Sequence, residues 1–163
     1  ITNVSRLADD VRQFSHTLSP VLLQQKGLVE AIKEIVGDVN KSSTLYIQFE
    51  SIGSLQQVSF RYELLIYNIL QELIQNIIKH ARASEAIIQL MLEREMISVF
   101  VEDNGSGFDQ TLKQDGLGFS QIKQLVTFVK GTLSIHSSLN KGCTVSIEFP
   151  VLTDETNQPH PDS

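Results

Sequence analysis

The residues best suited to chemistry fall in three clusters. Glu72, Asn76, Lys79 and His80 recur at the three- and four-residue spacing that brings side chains onto one helix face. Asp103-Asn104-Gly105-Ser106-Gly107 places a carboxylate at the head of a glycine-rich turn, and Gly116-Leu117-Gly118 supplies a second glycine turn ahead of another helical stretch. An amide oxygen such as that of Asn76 suits Mg2+, a hard ion that accepts oxygen ligands and keeps several waters. Lys79 and His80 can meet phosphate oxygens. Asp103 can accept a hydrogen bond from an exocyclic amine, and glycines at 105 and 107 let backbone approach a flat ring closely. A glycine turn opening a helix presents free N–H groups that attract phosphate. Together these are the parts needed to hold magnesium, a purine and a row of phosphates.

Each cluster also has a plainer reading by itself. The helix could be an ordinary solvated face. Asn-Gly after a strand is a hairpin signal, yet residues 108–113 do not read as the partner strand a hairpin requires. The order carries more than any one piece: polar helix, strand, Asp-x-Gly-x-Gly, loop, Gly-x-Gly, helix. No Gly-x-x-x-x-Gly-Lys-Ser/Thr loop, dinucleotide-binding glycine fingerprint or eukaryotic-type kinase signature is present.

The elements that must position these clusters follow from periodicity. Val4, Leu7, Ala8, Val11, Phe14 and Leu18 give a helix over residues 1–18, stopped or kinked by Pro20. A second helix is expected over 21–39, then a polar connector at 40–43 and a half-buried strand through Leu45, Ile47 and Phe49 to about Gly53. Residues 60–82 form the strongest helix, with Ile66, Leu70, Leu73, Ile74 and Ile77 on the side opposite Glu72, Asn76 and Lys79, and His80 at the margin. Strands through Leu90–Leu92 and 97–101 flank a turn at 93–95; residues 104–117 form a polar, mobile loop; a helix follows at 119–129. Strands at 132–136 and 144–149 join around Asn140-Lys141-Gly142, and the tail 153–163, polar and apolar-poor, is expected to be disordered. The order predicts an α+β sandwich, a helix pair ahead of a mixed, antiparallel-looking sheet.

Composition sets the bounds. A length of 163 residues with 41% hydrophobic content suits one core-forming domain plus an appendage. A net charge of -6 argues against a nucleic-acid domain, which normally shows a basic face. A single cysteine excludes an internal disulfide framework and fits a reducing compartment. No apolar run approaches ~18 residues. The chain opens at Ile1 inside a helical pattern, so it is expected to be a fragment whose upstream part is missing.

In combination, these residues resemble the Bergerat-type ATPase and kinase domains, the superfamily shared by sensor histidine kinases, gyrase-type topoisomerases, a heat-shock chaperone and mismatch-repair ATPases. The asparagine box is matched by Glu72, Asn76, Lys79 and His80, the first glycine box by Asp103, Gly105 and Gly107, and the second by Gly116 and Gly118. Residues 130–137 and 141–145 resemble the last glycine box and closing strands, so the resemblance covers about 44–150. A short segment between the glycine boxes, the run Asn76-Ile77-Ile78-Lys79-His80-Ala81, and residues 11–20 with Gly27-Leu28 resemble the nitrate-sensor-like subgroup of histidine kinases.

That resemblance implies three parts: residues 1–40 as part of a dimerisation and phosphotransfer hairpin, 44–150 as the ATP-binding catalytic domain, and 151–163 as a tail. It implies ATP and Mg2+ as ligands, with Asn76 on the metal, Glu72 holding or polarising a metal-bound water, and Lys79 and His80 on phosphates. Asp103 would take the adenine amine; Gly105, Gly107, Gly116, Leu117, Gly118, Cys143 and Thr144 would complete the nucleotide site. It further implies a cytoplasmic domain of a homodimeric parent, with or without a membrane anchor, that transfers phosphoryl to an upstream histidine and thence to a response-regulator aspartate. No nucleic acid or membrane contact is expected of the fragment.

Two departures stand out. His16 is followed by Thr17 and lies on what resembles the second hairpin helix, so the acceptor is expected upstream. Cys143 stands where the family usually has threonine near the adenine-binding Asp, and Thr144 would point the other way on a strand. The rival readings on this fold are an ATP-hydrolysing switch, a serine kinase acting on a sigma factor or its antagonist, and a binding module without catalysis.

Overall fold

Alternating apolar residues build the strands, and apolar residues at three- and four-residue spacing build the helices that cover one side of them. The structure, a computed structural model, describes residues 21–54, 58–93, 95–111 and 118–151. The expected helix at 1–18 with His16, turn residue Arg94, Gly116, Leu117 and the tail 153–163 lie outside these residues.

The strands are β1 (Tyr46–Gly53), β2 (Glu85–Leu92), β3 (Met96–Asp103), β4 (Thr132–Ser137) and β5 (Cys143–Pro150). They form one sheet in the order β1-β2-β3-β5-β4. β1 runs parallel to β2 and every other pairing is antiparallel. The parallel step needs a crossover, and helix α2 (Phe60–Asn76) supplies it between β1 and β2. Helices α1 (Leu28–Ser42) and α3 (Phe119–Phe128) flank it.

Alternation sends Ile47, Ile88, Leu90, Val99, Val101 and Ile147 to the covered face, where all are buried. Against them lie Ile66, Leu70, Leu73 and Ile74 of α2, Ile32 and Val36 of α1, and Ile122 and Val126 of α3. Tyr62 stacks on Phe149 with ring centroids 5.9 Å apart, tying the start of α2 to β5. The result is the expected α+β sandwich, a mixed sheet packed on helices.

Three boundaries differ from the periodicity reading. The helix expected over 21–39 is interrupted at Gly27, whose φ of 81° is left-handed, and resumes as α1 through Ser42. The expected connector at 40–42 is therefore helical. Asn40 explains the extension: its Nδ2 donates to the Ile47 carbonyl at 2.9 Å and its Oδ1 accepts from the Ile47 amide at 2.7 Å, anchoring the helix end to β1. Finally, the helix predicted to reach residue 82 is α-helical only to Asn76. Ile77–Ala81 form a π-helical turn, closed by Arg82 at φ 51°.

Leu70 is fully buried at the centre of the helix–sheet interface. Leu70→Ala should lower stability by about 2–5 kcal/mol through lost burial and a residual cavity. Denaturant melts of the two proteins check this; an unchanged midpoint would remove Leu70 from the core.

Candidate functional site

Register brings the site together. β3 and β5 pair so that Asp103 stands opposite Cys143 and Val101 opposite Val145. All four side chains line one pocket on the covered face. The last turn of α2 adds Leu73 and Asn76, and the π-helical turn adds Ile77, His80 and Ala81. Gly107 and Phe108, after β3, and Phe119, the first residue of α3, close the remaining side; the two rings lie tilted 5.9 Å apart.

The π turn decides which basic residue faces this pocket. Such a turn takes more residues per revolution than an α turn. Lys79 therefore falls away from the Asn76 face while His80 stays beside it. Lys79 is exposed, with its Nζ 3.5 Å from Gln75 Oε1. His80, expected at the margin, lines the pocket.

The glycines act mainly through backbone approach. A side chain at Gly105 would collide with the Ala81 carbonyl, and the Ser106 amide donates to that carbonyl at 2.6 Å. Gly105 thus seats the loop after β3 on the π turn. Gly107 and Gly142, both at positive φ, knit the same loop to the β4–β5 turn, where the Asn140 amide donates to the Ser106 carbonyl at 2.6 Å. Gly118, the N-cap of α3 at a left-handed φ of 73°, packs against the Glu72 carboxylate, which a side chain there would displace. Glu72 accordingly sits at the positive end of the α3 dipole, beside the pocket rather than in its lining. Thr144 also lies outside the lining, because alternation assigns Cys143 and Val145 to it. Gly116 and Leu117 lie outside the described residues.

Several residues that hold the site carry no signal in the sequence. Asn104 Oδ1 accepts from the Ser84 and Glu85 amides, each at 3.0 Å, and its Nδ2 donates to Ser84 Oγ at 3.0 Å. It clamps the end of β3 to the start of β2. Ser137 Oγ accepts from the Phe108 amide at 3.0 Å and donates to the Gly142 carbonyl at 2.9 Å. Only a turn signal at Asn140-Lys141-Gly142 hinted at the second of these clamps.

Asp103 is 7% exposed, and its Oδ1 accepts from the Gly105 amide at 2.8 Å. Burial raises its pKa above the usual carboxylate range, the Gly105 and Cys143 amides oppose that rise, and the Glu102 charge adds to it. Burial, and then the neighbouring Asp103 charge, push the Cys143 thiol up to about 11 against a lowering contact from Ser137. Asn76 Nδ2 is buried without a hydrogen-bond partner. A buried unpartnered amide is unfavourable by itself and marks the point in the pocket where a polar ligand would fit. Among the described residues, no group of three or more His, Cys, Asp or Glu side chains could hold a metal ion.

Residues 62–153 match the family of histidine kinase-, DNA gyrase B- and HSP90-like ATPases. The histidine-protein kinase/phosphatase DegS of Brevibacillus brevis is 31% identical over 147 residues, covering 90% of this chain and 38% of that protein. The oxygen sensor histidine kinase NreB of Staphylococcus carnosus is 31% identical over 150 residues, covering 91% of this chain and 43% of its own length. The chain thus spans about two fifths of these relatives. In fold it is similar to the blue-light activated histidine kinase of Erythrobacter litoralis, at TM-score 0.67 and 21% identity over 91% of this chain and 51% of that one. It is also similar to Acinetobacter baumannii AdeS, at TM-score 0.61 and 18% identity over 90% of this chain and 83% of that one.

A thiol raised to about 11 is almost entirely protonated near neutrality. Alkylation of Cys143 by iodoacetamide at pH 8 should run roughly 100-fold slower than that of an unperturbed thiol and recover in denaturant. Mass-spectrometric labelling rates read this; equal rates folded and unfolded would contradict the burial.

Proposed function

Since the chain belongs to the histidine kinase-, DNA gyrase B- and HSP90-like ATPase family, we propose that it is the ATP-binding catalytic part of a sensor histidine kinase. The observation that carries this reading is the buried Asp103 carboxylate lining the pocket beside Asn76 and His80. Curated relatives such as DegS and NreB are named as histidine kinases and support the kinase over the hydrolytic switch or the serine kinase. In the reaction, a histidine nitrogen upstream of this fragment attacks the γ-phosphorus of ATP. The P–N bond forms, the bond to the leaving oxygen of ADP breaks, and a response-regulator aspartate later takes the phosphoryl group.

Asp103 accepts the hydrogen bond from the adenine amine; guanine, with a carbonyl at that position, would meet a carboxylate and be rejected. Val101, Val145, Leu73 and Ile77 give the base apolar walls and exclude water. His80 contacts phosphate, and Lys79 reaches it only by swinging off Gln75. Gly107 and Gly118 admit close backbone approach. Cys143 contributes a half-buried neutral thiol beside Asp103.

The residues fit a magnesium–phosphate group: the unpartnered Asn76 Nδ2 is a donor for a phosphate oxygen, the Oδ1 of the same amide is an oxygen ligand for the ion, and Glu72 adds a carboxylate one turn earlier on the same helix. Asn76 would hold the ion and Glu72 would orient water, leaving phosphate oxygens to complete the shell. When bound, magnesium neutralises phosphate charge during transfer. No helix among the described residues is long and apolar enough to cross a membrane. We place the domain in the cytoplasm of a homodimeric parent, where ATP and a response regulator are supplied.

Asp103→Asn should weaken ATP binding at least about tenfold, because the amide cannot accept with the strength of a carboxylate and offers a competing donor. The same substitution should change stability in the opposite sense. A carboxyl whose folded pKa is raised binds more protons folded than unfolded, so wild-type stability falls as pH rises from the ordinary Asp value through the raised one. The variant should lack that loss and be the more stable protein at neutral pH. Calorimetric titration with ATP and melts across pH read both; unchanged affinity would remove Asp103 from the site. Asn76→Ala should abolish the magnesium-dependent part of ATP binding, and identical affinity with and without Mg2+ in both proteins would end that role.

The activity itself is tested by incubating the longer protein, with the 163-residue chain alongside, with terminally labelled MgATP. Acid-labile, alkali-stable label on the longer protein alone is the expected result. Phosphate release without protein label would favour the hydrolytic switch, and label on the fragment would implicate His16.

A further inference from the structure

The side of the sheet away from the helices breaks the rule that outward strand positions are polar. Tyr46 and Ile52 of β1 are 60% and 51% exposed, and Ile87 and Met91 of β2 and Met96 of β3 are exposed with them. Register makes these one surface. Ile52 pairs directly with Met91, while Phe100, opposite Gln89, lies diagonally between Ile87 and Met91. Such diagonal neighbours are within reach of large side chains. Tyr46 extends the strip diagonally from Ile87.

Charge on this face is one-sided. Glu85 stands opposite Tyr46, Glu102 opposite Ile87, Glu50 opposite Gln89 and Glu148 opposite Ser98. The Gln89 Nε2 donates to Glu50 Oε2 at 3.1 Å, which confirms that these side chains share the surface. No outward position on any of the five strands is Lys or Arg. The one imidazole there, His136, lies 3.0 Å from Ser134 Oγ on β4.

An apolar strip ringed by four carboxylates selects its occupant. Anionic lipid and nucleic acid are repelled by it. A second copy of this chain, with net charge -6, would bring the same acidic face. The segment 152–163 carries Asp154, Glu155 and Asp162 with no Lys or Arg, so its charge does not complement the face either. We propose that this open sheet face is a docking surface for a basic amphipathic helix of a partner protein, whose apolar stripe lies on Ile87, Met91, Ile52 and Phe100 and whose Lys and Arg residues meet the surrounding glutamates. The surface lies on the opposite side of the sheet from the nucleotide pocket and does not depend on the reading of that pocket.

The probe is a synthetic helix of ~18 residues with a leucine stripe and lysines elsewhere, compared with a peptide of the same composition in an order that spreads the leucines around the helix. Fluorescence anisotropy with the whole chain should show the striped peptide binding at least about tenfold tighter than the scrambled one. Binding should weaken at least about tenfold in each of the variants I87S/F100S and E50K/E148K. Both variants should retain wild-type binding of an ATP analogue, which checks that the fold is intact. Equal binding of the two peptides, or unaltered binding by either variant, would overturn the proposal. So would self-association of the chain, or binding to phosphatidylserine vesicles, that either variant abolishes.

Discussion

Asp103 carries a carboxylate to the end of a central strand beside an apolar core, with no ion-pair partner among the described residues. Such a group is tolerated only if backbone donors hold it. The neighbouring architecture does that. The Gly105 amide caps the carboxylate directly, and Gly105 can do so because it lacks a side chain against the Ala81 carbonyl. The Asp103 carbonyl is likewise approached by Gly142 so closely that no other residue would fit. Asn104 and Ser137 then clamp the two strand ends that flank the carboxylate. The glycines near this site serve the placement of one charge before they serve any ligand.

The same constraint couples the pocket to the basic residues of the π turn. Because the loop after β3 is seated on the π turn, the geometry of residues 77–81 and that of Asp103 are set jointly. A π turn in place of an α turn brings His80 toward the pocket and leaves Lys79 outside. Glu72, a turn before Asn76, meets the N-terminus of α3 rather than the pocket interior. The carboxylate at that helix end occupies the position that favours an anion.

Much of the fold was legible from pattern. The alternation at Leu45, Ile47 and Phe49, the run 97–101 and the closing strands each became strands where expected, and the apolar face of residues 66–77 became the core face. The Asp-x-Gly-x-Gly stretch was recognisable by its place in the order of polar helix, strand, glycine turn, second glycine turn and helix. What the pattern lacked was long-range. The helix end at Ser42 depends on Asn40 meeting Ile47, and the clamp at Asn104 depends on Ser84, twenty residues away. Neither contact has a local signature.

The sequence by itself determined which segments are amphipathic, where the glycine turns fall and which side chains could do chemistry, because these depend on neighbours a few residues apart. Tertiary structure alone decided that β1 pairs parallel to β2 and that His80 rather than Lys79 lines the pocket. It also decided that four glutamates and an apolar strip share one open face. The physical reason is register: a strand alternates sides with every residue, so a shift of one position exchanges its two faces, and only pairing across the sheet selects between them.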